Sequence, residues 1–299
     1  MTTSASPTPR QGAPGGGAPA IQWYPGHIAK AEKALTASLE KVDLVIEVRD
    51  ARIPLATAHP RLRRWIQAKQ HLLVVNRRDM VSEAARKDWD RWFRERDQTP
   101  WWCDARSGTG VSQLQQAAIR SGEALNARRL GRGMRPRPVR ALMLGFPNVG
   151  KSALINRLVR KKVVESARKA GVTRSLRWVR LGQDIDLLDA PGVLPPRLDD
   201  QQAALRLALC DDIGQAAYDT EAVALAFLRL LIQLGPEPAA GVAPGLLERR
   251  YGVATSAEVE EWLNAAAARH TSGDTLRMAQ RLLDDFRRSL LGPIALELP

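Results

Sequence analysis

The sequence predicts an α/β protein with a mostly parallel sheet, helices on both faces of it, and an all-helical C-terminal domain. Three observations carry that prediction. Short apolar runs such as Leu44-Val45-Ile46-Glu47-Val48 and Leu72-Leu73-Val74-Val75 alternate with segments of helical periodicity as far as Pro196. Gly145-Phe146-Pro147-Asn148-Val149-Gly150-Lys151-Ser152 fits the pattern GxxxxGK[ST] between an apolar strand and a helix. After Pro195-Pro196 the apolar spacing is helical only.

Taken in order, residues 1–20 are almost all Pro, Gly, Ala, Ser and Thr, a composition that buries too little apolar area to offset ordering entropy, so a disordered tail is expected. Ile21 to His27 brings two aromatics, a Pro-Gly turn and a histidine ahead of a helix over 29–40. A strand at 44–48 leads into the polar loop Arg49-Asp50-Ala51-Arg52-Ile53-Pro54. A helix over 61–69 precedes a strand at 72–75 that delivers Asn76 at its carboxyl end. A helix over 82–96, a short strand at 101–103 and a helix over 111–125 complete the first half. Gly131 to Pro138 is a Pro/Gly/Arg connector without apolar periodicity. Beyond it come a strand at 139–144, a helix over 152–158, and strands at 176–181 and 185–189 joined by a tight turn. Helices are expected over 201–209, 221–234, 256–268 and 274–290, with Gly235-Pro236-Glu237-Pro238 as a breaker. The expected division is a tail over 1–20, an α/β domain over 21–196 and a helical domain over 197–299.

The 299 residues carry a formal net charge of +13, unevenly spread. Between Arg120 and Arg180 there are 17 Lys/Arg against 2 Asp/Glu, whereas from Asp200 onward 9 basic residues face 14 acidic ones. An electropositive centre suggests a polyanionic partner, with RNA the obvious candidate. Cys103 and Cys210 sit far apart in apolar surroundings, which argues for a reducing compartment and against a disulfide framework or a metal site. The longest apolar stretch, from Ala222 to Leu228, is too short for a bilayer, and no secretion-like segment opens the chain. A cytoplasmic protein without a membrane partner is expected, and nothing demands more than a monomer.

The chemistry follows from the phosphate-binding pattern. Backbone N–H groups of a glycine-rich loop that opens a helix point at an anion, here those of Asn148, Val149 and Gly150, while the Lys151 ammonium reaches the β and γ phosphates and the Ser152 hydroxyl binds Mg2+. Asn76-Arg77-Arg78-Asp79 fits NxxD: the Asp79 carboxylate accepts from N1 and N2 of guanine, a donor edge that adenine lacks, and Asn76 ties this loop to the phosphate loop. Arg77 stands where lysine is usual, and its planar guanidinium is suited to stacking on a purine. Asp104-Ala105-Arg106 falls where a backbone segment would meet the guanine carbonyl, without the usual serine. Thr173, in Gly171-Val172-Thr173, is placed to bind magnesium and sense the γ phosphate. Asp189-Ala190-Pro191-Gly192 supplies a magnesium carboxylate at Asp189 and a γ-phosphate N–H at Gly192. The base-reading pattern precedes the phosphate-binding one, so these motifs describe a circularly permuted GTPase that uses GTP and GDP. Val193 follows Gly192 where a Ras-type enzyme has glutamine. An apolar side chain positions no water, which leaves His27 as the candidate to orient or deprotonate it.

These stretches, together with Trp23 to Ala31 and Asp50-Ala51-Arg52-Ile53-Pro54, resemble the circularly permuted GTPases of the YlqF/YawG group from Ile21 onward. The resemblance implies a role for His27 in GTP hydrolysis, a K+ ligand at Asn148, and an RNA-binding helical module at the C-terminus. It also implies maturation of the large ribosomal subunit, with that subunit and its rRNA as partners and hydrolysis stimulated there. RNA contacts are expected around Arg128, Arg129, Arg132, Arg135 and Arg137 and on the helix face carrying Arg277, Arg281 and Arg288. Two other readings stand beside a hydrolysing assembly factor: a GTP-gated RNA-binding scaffold with little turnover, consistent with Val193, and an ATP-using phosphotransferase, which would make Asp79 irrelevant.

Overall fold

The computed structural model describes residues 21, 35–66, 69–160, 177–190, 192, 200–256 and 258–299. The described part of the first half gives β1 (Leu44–Asp50), α1 (Leu62–Ile66), β2 (Gln70–Asn76), α2 (Glu83–Arg94), β3 (Pro100–Trp102), α3 (Val111–Ser121) and α4 (Glu123–Leu130). The second half gives β4 (Val139–Gly145), α5 (Lys151–Val159), β5 (Arg177–Leu181) and β6 (Ile185–Asp189), followed by α6 (Gln201–Leu209), α7 (Thr220–Leu234), α8 (Leu246–Tyr251), α9 (Val259–His270) and α10 (Thr275–Arg287). Residues 35–39 are helical as well.

The six strands form one sheet in the order β3-β2-β1-β4-β6-β5. All neighbours are parallel except β5 and β6, which form the antiparallel hairpin. β1 is buried along its whole length, as a central parallel strand covered on both faces should be. Because β1, β2, β3, β4 and β6 run the same way, their carboxyl ends share one edge, which is where ligands of open α/β sheets collect. Helix starts follow their caps: Ser82 accepts from the Ala85 N–H, Asp200 from Gln202 and Ala203, Asp219 from Ala222 and Asp274 from Arg277.

Two elements differ from the sequence expectation. The single helix expected over 111–125 is two helices divided at Gly122, where an added Cβ would lie 1.9 Å from Val139 Cγ2, so a strand side chain packs where a continuing side chain would stand. Helix α8 was not anticipated, since six residues are too few to show a helical period. The helical region also shares a core with the sheet. Leu44, Ile46 and Met143 belong to the same apolar cluster as Leu207, Phe227, Leu282 and Phe286. Residues 292–299 return to the α/β part. The Leu296 N–H donates to Arg52 O, the Glu297 carboxylate accepts from the Leu55 and Ala56 N–H groups, and Trp89 donates to Glu297 O. Cys103 and Cys210 are both buried free thiols, and burial pushes Cys103 up to about 12. Among the described residues, no helix is long and apolar enough to cross a membrane.

Candidate active site

The phosphate loop turns sharply at the end of β4. Gly145 runs so close to β1 that an added Cβ would lie 2.4 Å from Val48 O. Asn148 (φ 55°) and Gly150 (φ 97°) both take the left-handed conformation, which folds the loop back so that Lys151 opens α5. A helix N-terminus presents N–H groups without intrahelical acceptors, which makes it a ready anion site. Lys151 is buried, its Nζ donating to Phe146 O at 2.7 Å and Gly145 O at 3.2 Å. Burial lowers its ammonium to about 8, against the pull of Asp189 and Asp212.

Asn76 joins the base-reading and phosphate-binding halves. Its Nδ2 donates to Val149 O at 2.9 Å and its Oδ1 accepts from the Ala105 N–H at 3.2 Å. The fit is tight: a Cβ on Gly150 would stand 2.2 Å from that Nδ2. Arg77, in the left-handed conformation, sends its guanidinium to Asp50 Oδ2 at 2.8 Å and Asn148 O at 2.5 Å, so the head group clamps the two loops. Asp79 stands exposed on the 3-10 turn at 78–80, and its carboxyl is pushed up by partial desolvation and by Asp104.

Asp104 accepts from the Arg106 and Ser107 N–H groups at 2.7 and 3.1 Å, shaping the 104–108 loop as a short acceptor side chain does in an Asx turn. Burial opposes ionisation there, but the hydrogen bonds from Ser107 and Arg106 hold the carboxyl below its ordinary value. Asp189, at the end of β6, is buried, and among the described residues no donor meets either carboxylate oxygen with hydrogen-bond geometry. Its burial raises the carboxyl, opposed by Lys151 and by Ser152. Gly192 presses on the phosphate loop, since a Cβ there would lie 2.6 Å from both N and Cα of Pro147. Thus Asn76, Arg77, Asn148, Val149, Gly150, Lys151, Asp104, Ala105, Ser152, Asp189 and Gly192 gather at one edge of the sheet. His27 and Thr173 lie outside the described residues, as does Val193.

Sequence reasoning missed three supporting groups. Asp50 is fully buried and accepts from the backbone and guanidinium of Arg52 as well as from Arg77; these arginines outweigh its burial and hold it at about 2. The Asp-x-Arg spacing was the available signal. Arg157, on α5, donates to the Ala105 and Arg106 carbonyls, so the phosphate-loop helix braces the base-reading loop. Asp212, from the helical region, is buried, and its burial together with Asp50 pushes it up to about 8. No pattern in the sequence marks these last two.

A mostly parallel sheet with a phosphate loop after a central strand, and a guanine-type NxxD loop two strands away but earlier in the chain, defines a permuted P-loop GTPase. The family described as 50S ribosome-binding GTPase matches residues 140–227. Ribosome biogenesis GTPase A of Bacillus cereus is 37% identical over 73% of this chain and 73% of its own length. The Bacillus pumilus protein of that name is 31% identical over 93% of this chain and 99% of its own length. The GNP-bound crystal structure of YlqF from T. maritima superposes with a TM-score of 0.60 at 22% identity, covering 90% of this chain and 98% of that one, which shows the shared fold. The chain belongs to the ribosome biogenesis GTPase A family and is a GTPase that binds GTP and GDP.

Proposed function

We propose that this GTPase acts in ribosome biogenesis, in maturation of the large subunit, binding its rRNA in the GTP state and leaving after hydrolysis. The reading is supported above all by the bridge through Asn76, which holds Val149 O and the Ala105 N–H at once and so sets the base-reading and phosphate loops to one ligand. The relatives are named for ribosome biogenesis, and the basic stretch from Arg120 to Arg180 supplies charge for RNA phosphates. A cytoplasmic monomer fits this role.

In this reading Asp79 accepts from the guanine N1 and N2 edge, the Asp104-Ala105-Arg106 segment lies beside the base carbonyl, and Arg77 lays its stem beside the base. The N–H groups of Val149, Gly150 and Lys151 surround the phosphates, and the Lys151 ammonium neutralises them. The residues present fit a magnesium ion: Asp189 keeps a buried carboxylate beside Ser152 that no donor among the described residues meets with hydrogen-bond geometry, and hard oxygen ligands of this kind, with Thr173, are what Mg2+ takes beside substrate phosphates. Bound there, it would neutralise charge on the transferred phosphoryl group. Asn148 is the residue we assign to K+. His27 orients the attacking water, and Thr173 and Gly192 release their loops when the γ phosphate is lost, which is a population shift with a stated chemical cause.

Co-sedimentation with large ribosomal subunits tests the proposal: the chain should pellet with them in a non-hydrolysable GTP analogue and not in GDP. Pelleting that ignores the nucleotide would refute the switch. A GTP-gated scaffold with little turnover is the second reading, favoured by Val193 in the place of a water-positioning glutamine. Subunit-stimulated turnover that His27→Ala abolishes would exclude it.

A further inference from the structure

Strand β5 is the edge of the sheet, and it carries Trp178 with 45% of its surface exposed. The register explains why. Trp178 pairs with Leu188, Leu188 with Leu142, and Leu142 with Val45, so these four side chains form one row across a single face. Leu188, Leu142 and Val45 are buried in the cluster that includes Leu35 and Leu39 of the helical segment at 35–39. Trp178 continues that row to the sheet edge, where it is left exposed.

The next row down is charged. Arg180 pairs with Asp186 and Asp186 with Arg140, with Arg180 reaching Asp186 at 3.2 Å while 72% of its side chain stays exposed. Asp43 and Asp184, the latter exposed in the β5–β6 turn, are further acids at this end of the sheet, and Asp43 is held by Arg137 at 2.7 Å. Arg137 closes the connector, whose Arg132 and Arg135 are exposed, and Val139 N donates to Asp184 O in the β5–β6 turn. A basic path therefore runs from the connector through Arg137, Arg140 and Arg180 to a flat aromatic face. Bases stack on such faces while arginines follow the phosphates.

We propose that the exposed face of β5 is a single-stranded RNA platform, with a base stacked on Trp178 and the adjoining phosphates held by Arg180 and Arg140. Charge complementarity selects a polyanion over a protein partner, since Arg132, Arg135, Arg137, Arg140 and Arg180 outnumber Asp43, Asp184 and Asp186 along the path. Trp178 also lies five residues after Thr173 in the sequence, so the platform adjoins the segment that the γ phosphate is assigned to hold. This inference rests on the RNA-binding reading and gives it a location.

The test titrates the full chain, loaded with GDP or a GTP analogue, with fluorescent single-stranded RNA, and in parallel with large ribosomal subunits. Trp178→Ala should weaken RNA binding about tenfold while Trp178→Phe keeps most of it. Arg140→Gln and Arg180→Gln should each reduce the salt slope of binding by about one. GTP turnover without RNA should stay unchanged in all four, which shows that they fold. Unaltered RNA affinity in Trp178→Ala overturns the platform, and loss of subunit binding alone would assign β5 to a protein contact instead. A wild-type chain that binds no RNA would sink the RNA-binding reading itself, a separate outcome from failure of the Trp178 variant.

Discussion

The Asn148 side chain donates through Nδ2 to the backbone carbonyl of Asp211 at 2.6 Å, tying the phosphate loop to the end of the first helix of the C-terminal region. Arg52 reinforces the same joint by donating to Cys210 O at 3.3 Å. A residue assigned to an activating cation thus also fastens the two parts of the chain. Asn148→Ala should abolish the advantage of K+ over Na+ in turnover and speed amide exchange across 210–213. Hydrogen–deuterium exchange measures the second effect, and unchanged protection there would show that the bond carries no load.

In the proposed site, base choice rests on Asp79. Asp79→Asn replaces an acceptor by an amide that offers donors to the same guanine edge, leaving the groups that should pair mismatched. Affinity for GTP should fall by about 10³-fold or more, with xanthosine triphosphate, which has a carbonyl at that edge, becoming the better ligand. Competition binding with the two nucleotides decides it.

Gly192 leaves no room for a side chain against Pro147. Gly192→Ala should displace its N–H from the γ phosphate, reducing turnover about a hundredfold with GDP affinity nearly unchanged. Equal losses for GDP and GTP analogue would instead mean that the whole phosphate loop had moved.

Arg157 holds the Ala105 and Arg106 carbonyls, in the loop assigned to the base rather than to the phosphates. Arg157→Ala should loosen the base-reading loop and raise KM for GTP about tenfold while leaving kcat close to wild type, the pattern of lost uniform binding. A fall in kcat with KM constant would contradict it.

Asp212 carries the pH prediction. Its carboxyl moves from an ordinary 3.8 to about 8 in the folded protein, chiefly through burial and secondly through Asp50. The folded state therefore keeps a proton that the unfolded chain releases, and stability falls as pH rises from about 4 to about 8. Asp212→Asn is neutral throughout, so its Tm should exceed that of wild type at pH 8 and approach it near pH 4. Thermal melts across this range check it, and parallel curves for the two proteins would refute it.

What the sequence could determine by itself was local. The glycines and left-handed turn of the phosphate loop, the NxxD loop after β2 and the hairpin at 177–189 are each specified by residues within a few positions of one another, because turn geometry and hydrophobic period are short-range properties. Their inverted order was also readable, since it is a fact of the chain alone. Only the tertiary structure decided what meets what. Asn76 finds Val149 73 residues away, Arg157 finds Ala105 across 52, Asn148 finds Asp211 across 63, and Glu297 caps the Leu55 N–H across 242. Such pairings depend on strand order and on which face each helix covers. An arginine that braces a loop looks in sequence like any solvated arginine, and a buried aspartate like any surface one, until burial and distance give each its energy.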